Sequence, residues 1–163
     1  MSLSIEALQQ FVEQLAGDTE RWEHLVHHDS DARIYELIWQ QQDVNAWLIC
    51  WSEDQDTGFH DHDDSAAAIH VLDGRVREDR LRLGAPPETR VSVTGETFTV
   101  PASAIHRVRH AGTGPSVTIH AYSPPLTRVG AYRVRGNGQL ERLSQSWEQE
   151  LRAETESLLP QAA

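Results

Sequence analysis

A chain of 163 residues, 39% hydrophobic and 24% charged, fits one soluble domain with its own core. A single cysteine excludes a disulfide framework and a cysteine-rich zinc module, and a formal net charge of -11 argues against nucleic-acid partners. No apolar run nears the roughly 20 residues that span a bilayer, and Met1-Ser2-Leu3-Ser4-Ile5-Glu6 resembles no leader segment, so a cytoplasmic protein without membrane partners is expected.

Ile5, Leu8, Phe11, Val12 and Leu15 recur at three- and four-residue intervals, the stripe of an amphipathic helix. Ser4 is expected as its N-cap and Gly17 as its stop. Asp18 or Thr19 then caps a shorter helix through Trp22, Leu25 and Val26, giving a helical segment over about 4–28. From residue 32 the period changes. Segments 33–39 and 44–51 are rich in β-branched and aromatic residues, and further short strands are expected over 67–72, 76–83, 90–93, 97–100, 105–109, 116–121 and 131–134. Turn signals separate them at Asp73-Gly74, Gly84-Ala85-Pro86-Pro87, Thr94-Gly95-Glu96, Gly112-Thr113-Gly114-Pro115 and Gly136-Asn137-Gly138. Many short strands at near-regular spacing predict an antiparallel sandwich or barrel over about 32–135. Leu143, Trp147, Leu151 and Leu158 stand near helical spacing and predict a C-terminal helix over about 139–159. The chain, 1–163, reads as one domain without repeats or linkers.

Nine histidines are many for this length, and their placement carries the chemistry. His60-Asp61-His62 sets two imidazoles two residues apart, on one face of a strand, where both can reach one ion. Taken alone, the pair reads equally as solvated loop histidines beside the acidic run Asp61, Asp63 and Asp64. His106, in the distant strand-like segment Pro101-Ala102-Ser103-Ala104-Ile105-His106-Arg107-Val108, offers a third imidazole. Imidazole donors suit iron, zinc, copper and nickel; calcium and magnesium prefer oxygen.

The segment Phe59-His60-Asp61-His62-Asp63-Asp64-Ser65, followed by Gly74, resembles the first cupin motif, and Pro101 to His106 resembles the second. Thr118-Ile119-His120-Ala121-Tyr122-Ser123-Pro124-Pro125 resembles the Ser-x-His-x-Tyr-Ser-Pro-Pro stretch of the cysteine dioxygenase family of small-thiol dioxygenases. The three blocks fall in the family's order, and the resemblance spans roughly residues 35 to 135. It implies a mainly β fold, the cupin barrel (a double-stranded β-helix or jelly roll), here with N-terminal helices and a C-terminal helix. It also implies Fe(II) held by His60, His62 and His106, with a small-molecule thiol and O₂ as the partners. Ala66 and Ala67 stand where most cupins carry a ligating glutamate, and this family lacks that ligand too.

By the same resemblance Thr118, His120 and Tyr122 fall on a hydrogen-bonded Ser-His-Tyr triad, and Ile49 and Trp51 on the pocket wall. Ala67 stands where animal members carry the cysteine that cross-links to the tyrosine, so no thioether forms here. The arginine that grips the carboxylate of cysteine aligns near Tyr35, with Arg33 two residues away on the same strand face. A guanidinium grips a carboxylate bidentately and a phenol does not. Cysteine is therefore expected to be turned over about tenfold less well than another thiol, roughly 1.4 kcal/mol in kcat/KM. A mercapto-acid held by Arg33, Arg128 or Arg133, or a larger or cationic thiol facing Tyr35, stays open as substrate.

Outside this set, His24, His27 and His28 are expected to be solvated near a helix end, and His70 and His110 to serve in packing or at the surface. Cys50 is expected to be a buried small hydrophobe, and the acidic run a solvated loop. Three other functions use the same histidines: a cupin cleaving a non-thiol chelating substrate, a zinc hydrolase or hydratase, and a non-catalytic cupin. The oligomeric state is expected to be a monomer or a small homo-oligomer.

Overall fold

The computed structural model of the protein describes residues 2–137 and 139–146. Helix α1, Ile5–Gly17, begins where the Ser4 hydroxyl accepts from the Ala7 N–H at 3.2 Å, and it buries Leu8, Val12 and Leu15. A one-turn helix α2, Thr19–Trp22, runs into a 3₁₀ turn at Glu23–Leu25. Eleven strands follow among the described residues: β1 Ile34–Gln40, β2 Asn45–Trp51, β3 His60–Asp61, β4 Ala66–Asp73, β5 Arg75–Arg82, β6 Ala85–Val93, β7 Thr97–Val100, β8 His106–His110, β9 Ser116–Ser123, β10 Arg128–Val134 and β11 Leu140–Ser146. They form two antiparallel sheets, ordered β1-β2-β9-β4-β7 and β11-β10-β3-β8-β5-β6. No described helix is long and apolar enough to cross a membrane.

The five-stranded sheet is buried on both faces, and strand parity decides what each face meets. Trp47, Ile49 and Trp51 of β2 and Ala67, Ile69 and Val71 of β4 point between the sheets, into one core with Phe98, Val100, Val108 and Tyr122. Their neighbours Ala46, Leu48, Cys50 and Ala68, with Val117, Ile119 and Ala121 of β9, pack against α1 in a second core. This two-sided burial is why residues 46–51 form an unbroken apolar run. Cys50 is buried there, and burial pushes its thiol pKa up.

Two expectations are corrected. The predicted helix over 139–159 is a strand from Leu140 to Ser146, paired with β10 in a register that sets Val134 against Leu140 and Arg128 against Ser146. The Gly136-Asn137 turn closes this hairpin, with Arg135 donating to the Gln139 carbonyl at 2.8 Å. A strand there shows one face half-buried (Glu141, Leu143, Gln145) and the other exposed. The rest of the predicted helix lies outside the described residues. The expected turn at Gly84 to Pro87 is shorter, since β6 begins at Ala85 and takes in Pro86 and Pro87. Among the described residues β6 pairs only with β5, and the two prolines fall at a register shift of this edge ladder, where missing N–H groups are tolerated.

Candidate metal centre

His60 on β3, His62 just beyond it and His106 on β8 bring their rings together between the sheets, and His60 is the register partner of His106. All three are buried. The Nε2 atom of His62 lies 3.2 Å from Nε2 of His60 and 3.2 Å from Nε2 of His106. Two nitrogens bonded at about 2.1 Å to one ion lie about 3.0 Å apart at a right angle and about 3.4 Å apart at a tetrahedral angle. The observed spacing falls in that window, so the set fits one transition-metal ion.

The opposite ring nitrogens support the same geometry. His106 Nδ1 donates to Glu78 Oε1 at 2.9 Å, and His60 Nδ1 donates to the Gly58 carbonyl at 3.0 Å. Such bonds fix the tautomer and turn the Nε2 lone pairs inward. Burial, and then repulsion from the neighbouring histidines, hold the pKa values of His62 and His106 well below the ordinary imidazole value. The rings are therefore neutral near pH 7, the form that binds a metal. Burial raises the Glu78 pKa, opposed by Arg80, which donates to both its carboxylate oxygens at 2.9 and 3.2 Å.

Thr118, His120 and Tyr122 share one parity on β9 and face the same interior. Trp51 Nε1 donates to Thr118 Oγ1 at 2.9 Å, Thr118 Oγ1 lies 3.0 Å from His120 Nε2, and His120 Nδ1 lies 3.3 Å from the Tyr122 hydroxyl. An indole N–H can only donate, so Thr118 accepts from Trp51, and its hydroxyl also bonds His120 Nε2. His120 is thus held through both ring nitrogens, one on Thr118 and the other on Tyr122. Burial, then the charges of His60 and Arg33, push the His120 pKa down to about 3, so the ring stays neutral. The Tyr122 ring meets the His62 ring edge-on, with centroids 5.0 Å apart.

Ile49 is buried in the interior core, and Tyr35, its register partner on β1, is half-buried with its ring 6.4 Å from Trp47. Arg33 lays its guanidinium over the Trp51 ring, 5.5 Å from the centroid. The two other candidate arginines lie elsewhere. Arg128 is exposed and donates to Ser144 at 2.8 Å, and Arg133 pairs with Glu141.

His24, His27 and His28 are exposed, His70 bonds Thr97 at 2.9 Å, and His110 is buried against the Gly114 carbonyl at 2.6 Å. The acidic run departs from the expected solvated loop at Asp61. That carboxylate is buried, and it accepts from Tyr132 at 2.5 Å and from Arg142 at 2.7 and 2.8 Å. Burial raises its pKa, but Arg142, Tyr132 and the Asp63 N–H outweigh it and leave the carboxyl well below the usual range. Sequence reasoning also missed Glu78. Its signal was parity: it lies two residues from the core Val76 on β5, so a carboxylate faces inward.

The family model for cysteine dioxygenase type I matches residues 2–135. Cysteine dioxygenase type 1 of Danio rerio is 26% identical over 146 residues, covering 82% of this chain and 72% of the relative. The Homo sapiens protein of the same name is 23% identical over 143 residues, with 82% and 72% covered. Among solved structures, the TT1209 protein from Thermus thermophilus aligns with TM-score 0.56 at 19% identity, over 63% of this chain and 93% of its own. An RmlC-like cupin protein from Desulfovibrio desulfuricans aligns with TM-score 0.52 at 20% identity, over 61% and 90%. These structural likenesses show a mainly β cupin fold. With two antiparallel sheets, a three-histidine centre between them and a family match over most of its length, the chain belongs to the cysteine dioxygenase type I family.

Proposed function

We propose that the protein is a non-haem Fe(II) thiol dioxygenase that oxidises a small-molecule thiol to its sulfinate with both atoms of O₂. The observation that carries this reading is the convergence of three buried imidazoles beside the Trp51–Thr118–His120–Tyr122 chain. Fe(II) held by neutral donors alone keeps its double positive charge, which favours binding the substrate as thiolate together with O₂. His60, His62 and His106 would hold the ion. His120 fixes the phenol of Tyr122, whose own proton then serves as a hydrogen-bond donor to substrate oxygen or sulfur. A hydrolytic zinc site has no evident use for a chain of this kind.

The substrate class follows from the cations. Tyr35, at the family's clamp position, packs on Trp47, and the positive charge near the triad comes from Arg33 over Trp51. Two residues along a strand amount to about 7 Å, so a carboxylate held by Arg33 sits differently from one held at position 35. This favours a mercapto-acid whose carboxylate reaches Arg33, with cysteine the poorer substrate. Thiol-dependent O₂ uptake by iron-loaded but not zinc-loaded protein tests the reading. Equal uptake by both, or by neither, removes it.

A further inference from the structure

β3, which carries the first histidine of the metal set, has only two residues. It pairs with β8 at His60 alone and with β10 at His60 and Asp61. So short a ladder gives little hold on a segment that must keep two rings in register. Asp61 alternates with His60 and His62 and is gripped from the other side. Tyr132 and Arg142, a cross-strand pair on β10 and β11, both donate to it. Arg142 Nη2 also reaches Asp63 Oδ1 at 3.0 Å, and the Asp63 N–H donates to Asp61 Oδ1 at 2.9 Å. Asp63 stands at a φ of +56°, in the left-handed region that aspartate adopts more readily than most residues.

Gly130 completes the arrangement. It is the register partner of Asp61, and a Cβ there would lie 2.6 Å from Arg142 Cζ. The guanidinium on its way to Asp61 passes over position 130, where a side chain would force it to move. Arg142 lies beyond residue 135, where the family match ends.

We propose that Arg142, reaching over Gly130 from β11, is a positioning residue for the metal ligands: it clamps Asp61 and Asp63 so that His60 and His62 keep their spacing. The inference rests on the three-histidine metal reading. Removing a partner that orients metal ligands costs about 10- to 100-fold in affinity.

The test is Co(II) affinity, by competition with a chelator, and the Co(II) d–d spectrum, in wild type, Arg142→Ala, Gly130→Ala and Arg128→Ala. Gly130→Ala displaces the flexible end of Arg142 without deleting a polar group, so it stays informative if Arg142→Ala fails to fold. Arg128→Ala removes the exposed bond to Ser144 in the same hairpin and serves as the control. The expected result is about tenfold weaker binding and an altered spectrum in Arg142→Ala and Gly130→Ala, with Arg128→Ala like wild type. Wild-type affinity and spectrum in Gly130→Ala, or equal losses in Arg128→Ala, would overturn the clamp. Wild-type protein that bound no Co(II) would instead sink the metal reading beneath it.

Discussion

Ala67 on β4 lies directly across the ladder from Tyr122 on β9. Directly opposed residues in an antiparallel pair have Cβ atoms about 5 Å apart, within reach of a sulfur–ring bond. The position that resembles the family's cross-linking cysteine is thus occupied by a methyl group facing the proposed donor. Ala67→Cys is expected to form the thioether in iron-loaded protein exposed to thiol and O₂, and intact mass would read it as a loss of two hydrogen atoms. An unchanged mass after many turnovers would show that the phenol is not presented to position 67.

The second prediction concerns the carboxylate behind His106. Glu78→Ala is expected to weaken metal binding by about 10- to 100-fold, because His106 loses its 2.9 Å partner and the ring is free to turn. His106→Ala should lose metal and activity together. Full metal occupancy in His106→Ala at stoichiometric loading would refute the three-histidine set.

Much of this centre was legible in the sequence. The His60-Asp61-His62 spacing, the strand-like setting of His106 and the alternation of Thr118, His120 and Tyr122 all follow from period two, which β9 keeps throughout its pairing with β2. The α1 stripe and the Ser4 cap were equally plain, because local spacing and capping decide them. What stayed hidden depends on contacts between distant segments. Glu78 looked like part of a charged strand until β5 paired with β8 and set it against His106. Asp61 looked solvated because Arg142 is 81 residues away. The spacing of Leu143 with Trp147, Leu151 and Leu158 suggested a helix, and the hairpin with β10 makes Leu140–Ser146 a strand.

Acid sensitivity gives a third prediction. Burial, with His60 and Arg33, sets the folded pKa of His120 at about 3 against an ordinary 6.5. Between those values the unfolded chain binds the extra proton. The neutral ring's contribution is therefore complete above pH 6.5 and is lost as pH falls toward 3. Each such histidine contributes a slope of up to about 1.4 kcal/mol per pH unit. Denaturant titrations of metal-free protein from pH 7 to 5 should show falling stability, and His120→Gln should flatten the curve by about one proton. Parallel curves for the two proteins would show that His120 is not buried neutral.

The fourth prediction separates the ligands from the hydrogen-bond chain. Tyr122→Phe should keep its metal while coupled turnover falls by about 100-fold or more, with O₂ consumed out of proportion to sulfinate formed. Thr118→Val should act in the same direction, since it cuts the link from Trp51 to His120. Wild-type coupling in Tyr122→Phe would reduce the tyrosine to a packing residue.

The central claim is best tested by recording O₂ uptake and sulfinate together for iron-loaded protein across cysteine, mercapto-acids of graded length and cationic thiols. The account predicts one O₂ consumed per sulfinate, with a mercapto-acid favoured over cysteine by at least about tenfold in kcat/KM, roughly 1.4 kcal/mol. It predicts further that Arg33→Ala loses most of that preference. Absence of thiol-dependent uptake across the series would contradict thiol oxygenation itself, and a preference for cysteine that Arg33→Ala leaves intact would contradict the assignment of Arg33.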